Sequence, residues 1–407
     1  MNLDAFFQYT WYRLPILLVF TNSYLVYRLL VSSSLSDIFV QKVMTHCQGN
    51  MARITLYILI TGTLLSFFIP NAVSVLILLP ALKEIEKQII DCKLPEKQIS
   101  KIITALALSA IYGANIGGMG SLVGSPANLI LIGALDLLNK GPVVSITFLN
   151  WFLWSIPLVV LFLFSAYSVI RFFALPSLVE SLQCNFTDQN HLNYQQKESL
   201  RLFIWFIVFW ICHSICQQRF QYYQFLQSYI CLIFVLYFSF CLYQKKLLSL
   251  CQLLQGIPFR GFVILIFFGC IMLLARCFHL DQMAANFFNQ AILMNHSSTT
   301  LLAFVTGISI LLTEFLSNTI VSAALFPIVY QTAQMNHMMP LVLMIAVSVA
   351  STCAFMTPIA TPCNAFVFGE MKKIRLGTMI FCGMILNILC VICVTAWLPV
   401  CIPVIYN

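Results

Sequence analysis

Polar residues that interrupt apolar runs are the first chemistry this sequence offers. In FFIPNAVSVLILLP (67–80), Pro70 and Asn71 stand inside a stretch otherwise fit for a bilayer. EFLSNTIVSAALFP (314–327) aligns on it without gaps and puts Ser317, Asn318 and Thr319 at the matching place. A second pair is GMGSLVGSPANLILIG (118–133) and FMTPIATPCNAFVFG (355–369), matched at Gly124-Ser125-Pro126-Ala127-Asn128 and Ala360-Thr361-Pro362-Cys363-Asn364. Proline inside an apolar helix removes a donor and clashes with the preceding turn, so the helix breaks there. Such a break persists at membrane depth only where the freed amides and carbonyls face protein or a watery cavity. Half-helix N-termini offer amides to an anion, while unwound carbonyls and Asn, Ser or Thr oxygens hold a small cation.

The elements that position these residues follow from composition. The chain has 407 residues, 61% hydrophobic and 8% charged, against roughly a quarter charged in soluble domains. It reads as an all-α, polytopic membrane protein. Apolar stretches near spanning length recur at 11–32, 102–135, 150–172, 202–217, 229–243, 261–275, 339–369 and 376–402. The formal charge of +8 is spread over short loops and implies no nucleic acid partner. The stretch at 11–32 lacks a small-residue cleavage site and reads as a retained helix.

When loops are assigned alternately to two sides, one side takes five lysines at 83–101, Arg171, Lys197, Arg201, Lys245, Lys246, Arg260, Lys372, Lys373 and Arg375. The other side takes Lys140, Arg219 and Arg276. The first side is cytoplasmic by the positive-inside rule. Arg28, Lys42 and Arg53 join it if the first span runs inward, which puts both termini outside. Each hairpin asparagine is flanked by apolar arms of about 15 to 17 residues, too short to span comfortably. The two Asn-tipped hairpins are therefore expected to be re-entrant, the first from inside and the second from outside. The unit of hairpin and broken helix occurs twice in opposite orientation, the pattern of secondary transporters with a midplane site.

At these residues the sequence resembles the divalent anion:sodium symporter family, whose members carry dicarboxylates, citrate or sulfate. The resemblance covers about 30–400 and is strongest at TEFLSNT (313–319) and CAFMTPIATPCNAFVFG (353–369); NIGGMGSLVGSPANLILIG (115–133) is similar to the first-half broken helix. It implies a homodimeric, elevator-type secondary carrier of small divalent anions in the cytoplasmic membrane, surrounded by the lipid bilayer. No cofactor is implied beyond co-transported sodium. The implied substrate contacts are Asn71, Ser125, Ser317, Asn318, Thr319, Thr361 and Pro362. A first sodium site is implied at Ser66, Asn71 and Gly124, and a second at Thr313, Leu316, Asn318 and Ala360. The resemblance also divides the chain. Residues 1–50 are a scaffold span with an interfacial arm at 32–44, 51–175 a first transport repeat, 176–298 scaffold spans and 299–407 a second transport repeat. Only one span precedes the first hairpin, so the scaffold is expected to be shortened or to start upstream.

Two departures set this chain apart from the family pattern. The first signature reads Pro70-Asn71-Ala72 where Ser-Asn-Thr is expected, which removes two hydroxyls able to donate to an anion or accept toward sodium. That departure also admits a sodium-independent exchanger or a proton-coupled permease, and the second departure, the fewer spans before the first hairpin, a non-transporting relic. Glu314, an intramembrane carboxylate, is expected either to orient the second hairpin tip or to carry a coupled proton. Gly113, Gly117, Gly120 and Gly124 are expected to let a backbone approach closely or to form a helix-pairing face. His213 is expected to be a core histidine bonded to a neighbouring helix, and cysteines such as Cys212, Cys216, Cys231, Cys353 and Cys390 small buried hydrophobes. With no GxSxG, no HExxH and no paired aspartates, enzymatic hydrolysis is not expected.

Overall fold

The computed structural model describes residues 3–33, 46–138, 146–175, 193–249 and 297–406 apart from 48, 93 and 221, with scattered positions at 35 and between 251 and 286. The arm expected at 32–44 and the span expected at 261–275 fall outside these residues apart from isolated positions, as do Lys42, Lys93, Lys140, Arg260 and Arg276. The described residues form helices and no strand: α1 (Leu3–Ser32), α2 (Met51–Phe68), α3 (Asn71–Asp91), α4 (Glu96–Met119), α5 (Pro126–Leu138), α6 (Phe148–Val169), α7 (Tyr194–Arg219), α8 (Tyr223–Gln244), α9 (Ser298–Thr313), α10 (Asn318–Met335), α11 (Pro340–Thr352), α12 (Pro362–Glu370) and α13 (Leu376–Tyr406). A π-turn, Ile170–Ala174, extends α6. By length and apolarity, the helices over Met51–Phe68, Glu96–Met119, Phe148–Ala174, Tyr194–Gln217, Phe225–Gln244 and Leu376–Tyr406 could each cross a membrane.

Two compact units share the chain. The first contains α1, α7 and α8. The helix α7 starts at a reciprocal cap, in which Gln196 N–H donates to Asn193 Oδ1 and Asn193 N–H to Gln196 Oε1. Trp11 of α1 packs its ring 4.7 Å from that of Tyr229, and Ser228 Oγ donates to the Trp11 carbonyl. Glu198 pairs with Arg201 and Lys245, joining the ends of α7 and α8. His213 is the expected core histidine: its Nδ1 lies 2.7 Å from the Tyr223 hydroxyl. Among the described residues no group of His, Cys, Asp and Glu could hold a metal ion. Of the named cysteines, Cys231, Cys353 and Cys390 are buried and Cys216 is half-buried; Cys212 is exposed on α7 and fails the expectation.

The second unit contains both hairpins and both broken helices. In the first hairpin, α2 ends at Ile69, which is extended (φ −134°, ψ 145°) because the following Pro70 disfavours a helical conformation there. The second hairpin turns between Thr313 and Asn318, and Ser317 Oγ caps α10 by accepting from Ile320 N–H. The arms measure 18 and 21 residues in the first hairpin and 16 and 18 in the second, so three of the four are longer than the 15 to 17 expected, and the first, Met51–Phe68, is long enough to span. Between α4 and α5 the chain leaves helical form over 120–125, and between α11 and α12 over 353–361. Pro126 and Pro362 each open the next helix, the position where a missing N–H costs least.

α4 is buried from Ile102 to Met119. Glycine lets α2 reach it: a Cβ at Gly113 would lie 2.4 Å from the Leu59 carbonyl oxygen, and one at Gly117 would lie 2.3 Å from that of Thr63. The close-approach reading of these glycines is the one observed. At the far end of α12, Lys83 pairs with Glu370, Ser100 Oγ donates to the Lys373 carbonyl at 2.7 Å, and Lys372 N–H donates to Glu86 at 3.0 Å. The second broken helix is thereby tied to the base of the first hairpin.

Replacing Gly117 by alanine should lower thermal stability by about 1–3 kcal/mol through overpacking against Thr63. Gly133→Ala, where nothing lies within 4 Å of the added carbon, should leave it unchanged or raise it. Melting of the two purified variants in detergent checks the pair.

Candidate functional site

The two Pro-x-Asn motifs build the same local structure. Asn128 Nδ2 donates to the carbonyls of Gly118 (3.0 Å) and Ser121 (2.6 Å), ten and seven residues earlier. Asn364 Nδ2 donates to the carbonyls of Ala354 (2.9 Å) and Thr357 (2.8 Å), also ten and seven residues earlier. Each asparagine thus closes the unwound loop ahead of its own helix. Two further carbonyls at the first break are met by α6: Trp151 Nε1 donates to Met119 O at 3.0 Å and Ser155 Oγ to Gly120 O at 2.9 Å.

In the first half the structure brings Ser66, Asn71 and Gly124 together. Asn71 N–H donates to the Gly124 carbonyl at 2.9 Å. Glycine is required at 124 because a Cβ there would lie 2.5 Å from the Ser66 carbonyl oxygen and 2.8 Å from Gly118 Cα. Ser66 Oγ and Ser125 Oγ are both buried without a hydrogen-bond partner. Such groups carry a desolvation cost unless something meets them, and hydroxyls placed beside an unwound backbone suit an alkali cation or an anion.

In the second half Thr313 and Asn318 meet: Thr313 Oγ1 lies 3.1 Å from Asn318 Oδ1 and 2.8 Å from the Ser351 carbonyl. Ser317 and Thr319 are half-buried on either side of Asn318. Leu316 and Pro362 have hydrocarbon side chains, so only their main chains can serve a polar ligand. Ala360 is buried just before Thr361, whose hydroxyl donates to Asn364 Oδ1 at 2.8 Å and caps α12.

Glu314 joins the second hairpin tip to the second break, the geometry expected of a tip-orienting carboxylate. Its carboxylate is buried and accepts backbone N–H groups from Phe355 (3.0 Å), Met356 (2.9 Å) and Thr357 (2.9 Å), with Asn387 Nδ2 at 2.8 Å. Thr357 Oγ1 donates back to the Glu314 carbonyl at 2.6 Å. The second hairpin tip and the second break are therefore one hydrogen-bonded body. In the aligned first half, position 67 is phenylalanine, whose ring occupies the space that a Cβ on Gly120 would need.

Sequence reasoning overlooked three contributors. Asn115 of α4 accepts from Asn71 Nδ2 (3.2 Å) and donates to Asn364 Oδ1 (3.3 Å). Ser348 of α11 donates to Asn128 Oδ1 at 2.6 Å, and Asn387 of α13 supports Glu314. The one available signal was a polar residue inside an otherwise apolar helix.

Comparisons with known proteins agree with this architecture. The profile of the citrate transporter family matches residues 3–249. A sodium-dependent dicarboxylate transporter, SdcS, of Staphylococcus saprophyticus is 27% identical over 359 residues, covering 84% of this chain and 68% of that protein. An uncharacterized transporter of Haemophilus influenzae is 27% identical over 395 residues, covering 93% and 79%. The sodium-dependent high-affinity dicarboxylate transporter 3 of Caenorhabditis elegans is 25% identical over 380 residues, covering 84% and 66%. In fold, the chain is similar to the crystal structure of the Alcanivorax borkumensis YdaH transporter, with a TM-score of 0.67 at 13% identity over 98% of this chain and 90% of that one.

Glu314→Gln should lower stability by about 1.5–3 kcal/mol, since an amide presents a donor where the carboxylate only accepts. Differential scanning fluorimetry of the variant checks this; an unchanged melting temperature would refute the clamp.

Proposed function

The chain belongs to the citrate transporter family, and on that premise we propose that it couples a sodium gradient to uptake of a small dicarboxylate or tricarboxylate anion. Members of this family are transporters and not enzymes, and the chain is a multi-pass membrane protein. The substrate class is supported by the names of the relatives, two of which are sodium-dependent dicarboxylate transporters. The observation that carries the reading is the repeated unit of a hairpin with an asparagine tip beside a helix unwound before Pro-x-Asn.

In this proposal the anion lies between the two hairpin tips and the two breaks. It contacts Asn71, Ser125, Ser317, Asn318, Thr319, Thr361 and the start of α12 at Pro362. The N-termini of α5 and α12 aim their amides at the anion. Its donors on the second hairpin are Ser317 and Thr319; the first hairpin has Pro70 and Ala72 at the aligned places and so contributes fewer. One sodium site uses Ser66, Asn71 and Gly124, and its support is the unpartnered Ser66 hydroxyl beside the Gly124 backbone. The other uses Thr313, Asn318 and the carbonyls of Leu316 and Ala360. All proposed ligands are neutral oxygens, suited to a hard monovalent cation that must be released again.

Movement is assigned to an elevator in which 51–175 and 299–407 carry the substrate and 1–50 and 176–298 form the scaffold, as a homodimer in the cell membrane. The support is that both hairpins and both breaks lie in one compact unit.

Uptake of labelled succinate or citrate by proteoliposomes containing the purified chain tests the reading. An inward sodium gradient should raise initial uptake at least tenfold, and Asn318→Ala should abolish it while the protein still elutes as a folded species. Uptake indifferent to sodium but stimulated by an opposing anion gradient would instead select exchange. No uptake of either anion, nor of sulfate, would overturn a transport role.

A further inference from the structure

The two halves treat their signature asparagine differently. In the second half Asn318 meets its own Thr313, which also reaches the Ser351 carbonyl. In the first half the aligned Ser66 hydroxyl has no partner, and Asn71 bonds to Asn115, the residue aligned with Ser351. Asn115 then continues across the repeat boundary.

Backbone groups fix the direction of every amide in this chain of bonds. Asn71 Oδ1 accepts the Ala72 N–H at 2.9 Å, so its Nδ2 is the group turned to Asn115 Oδ1. Asn115 Nδ2 faces the Ala354 carbonyl at 3.3 Å, which can only accept. Asn364 Nδ2 faces the Ala354 and Thr357 carbonyls, leaving its Oδ1 for Asn115 Nδ2 and the Thr361 hydroxyl. Hydrogen-bond donation therefore runs from the first hairpin tip, through Asn115, into the second break. Asn71, Asn115, Asn364 and Thr361 are all buried, so an amide turned out of the chain would find no water to replace its partner.

We propose that Asn115 is a positioning residue that makes the first hairpin tip and the second break order together, so that ligand occupancy at one half-site favours occupancy at the other. The ligand part rests on the transport reading above; the ordering part does not. Other bonds also join the halves, among them Ser348 of α11 to Asn128 of the first break and the Tyr112 hydroxyl to the Phe355 carbonyl, but neither bonds to a signature asparagine of a hairpin tip. Asn115 bonds directly to both Asn71 at the first tip and Asn364 at the second break.

Hydrogen–deuterium exchange of the full-length purified protein without ligand tests the ordering. In the parent sequence, Asn71→Ala should speed exchange about tenfold both at 71–74 and, at a distance, at the amides of 355–357. In an Asn115→Ala background, Asn71→Ala should affect 71–74 alone. Exchange at 355–357 that ignores Asn71→Ala in the parent, or responds equally in both backgrounds, would overturn the proposal. If Asn115→Ala does not fold, Asn115→Ser, whose hydroxyl is too short to bridge both partners, supports the same comparison. In proteoliposomes, saturating sodium should lower the half-saturating succinate concentration of the parent by a factor within the 5- to 150-fold range usual for coupled sites, and this factor should shrink toward one in the Asn115 variant. A parent that transports nothing contradicts the transport reading, and the exchange result then decides the ordering role by itself.

Discussion

Backbone freed by proline inside an apolar protein has to be met by protein, and the rest of the structure depends on how that is done. Pro126 and Pro362 each leave a stretch of unwound chain ahead of them, and the asparagine two residues later reaches back to carbonyls ten and seven positions upstream. Everything placed near the breaks serves the same demand. α6 supplies Trp151 and Ser155 to the first, and Glu314, its carboxylate held by the Asn387 amide, meets the freed amides of the second. Groups left over after this provision, such as the hydroxyls of Ser66 and Ser125, are those a ligand can use.

The halves are related but not equivalent, and the differences concern charge and donors. The second break is held by a formal negative charge at Glu314, while the aligned Phe67 fills space against Gly120. The second hairpin keeps Ser317 and Thr319 beside its asparagine; the first has Pro70 and Ala72, and its asparagine is steadied by Asn115. In the proposed site the second hairpin would offer the anion more hydroxyl donors than the first.

Much of this was legible in the sequence because it depended on local rules. Pro-x-Asn inside apolar runs announced both breaks, the gapless match of 67–80 to 314–327 announced the hairpins, and Gly113 and Gly117 announced a close helix contact. Other features were out of reach for a physical reason. Asn115, Ser348 and Asn387 are single polar residues in apolar helices, and their partners lie 249, 220 and 73 positions away. Periodicity gives the face of a helix but not the residue that will stand opposite. Glu314 allowed two readings, and the three backbone amides closed around its carboxylate support the tip-orienting one.

The central claim is that the hairpin tips and the two breaks enclose one anion site. A cryo-electron microscopy map of the protein with saturating succinate and sodium tests it directly. The account predicts density for the anion against Ser125, Thr361 and the tips at Asn71 and Asn318, with both breaks still unwound. Anion density elsewhere in the protein, or continuous helices through Pro126 and Pro362, would contradict it.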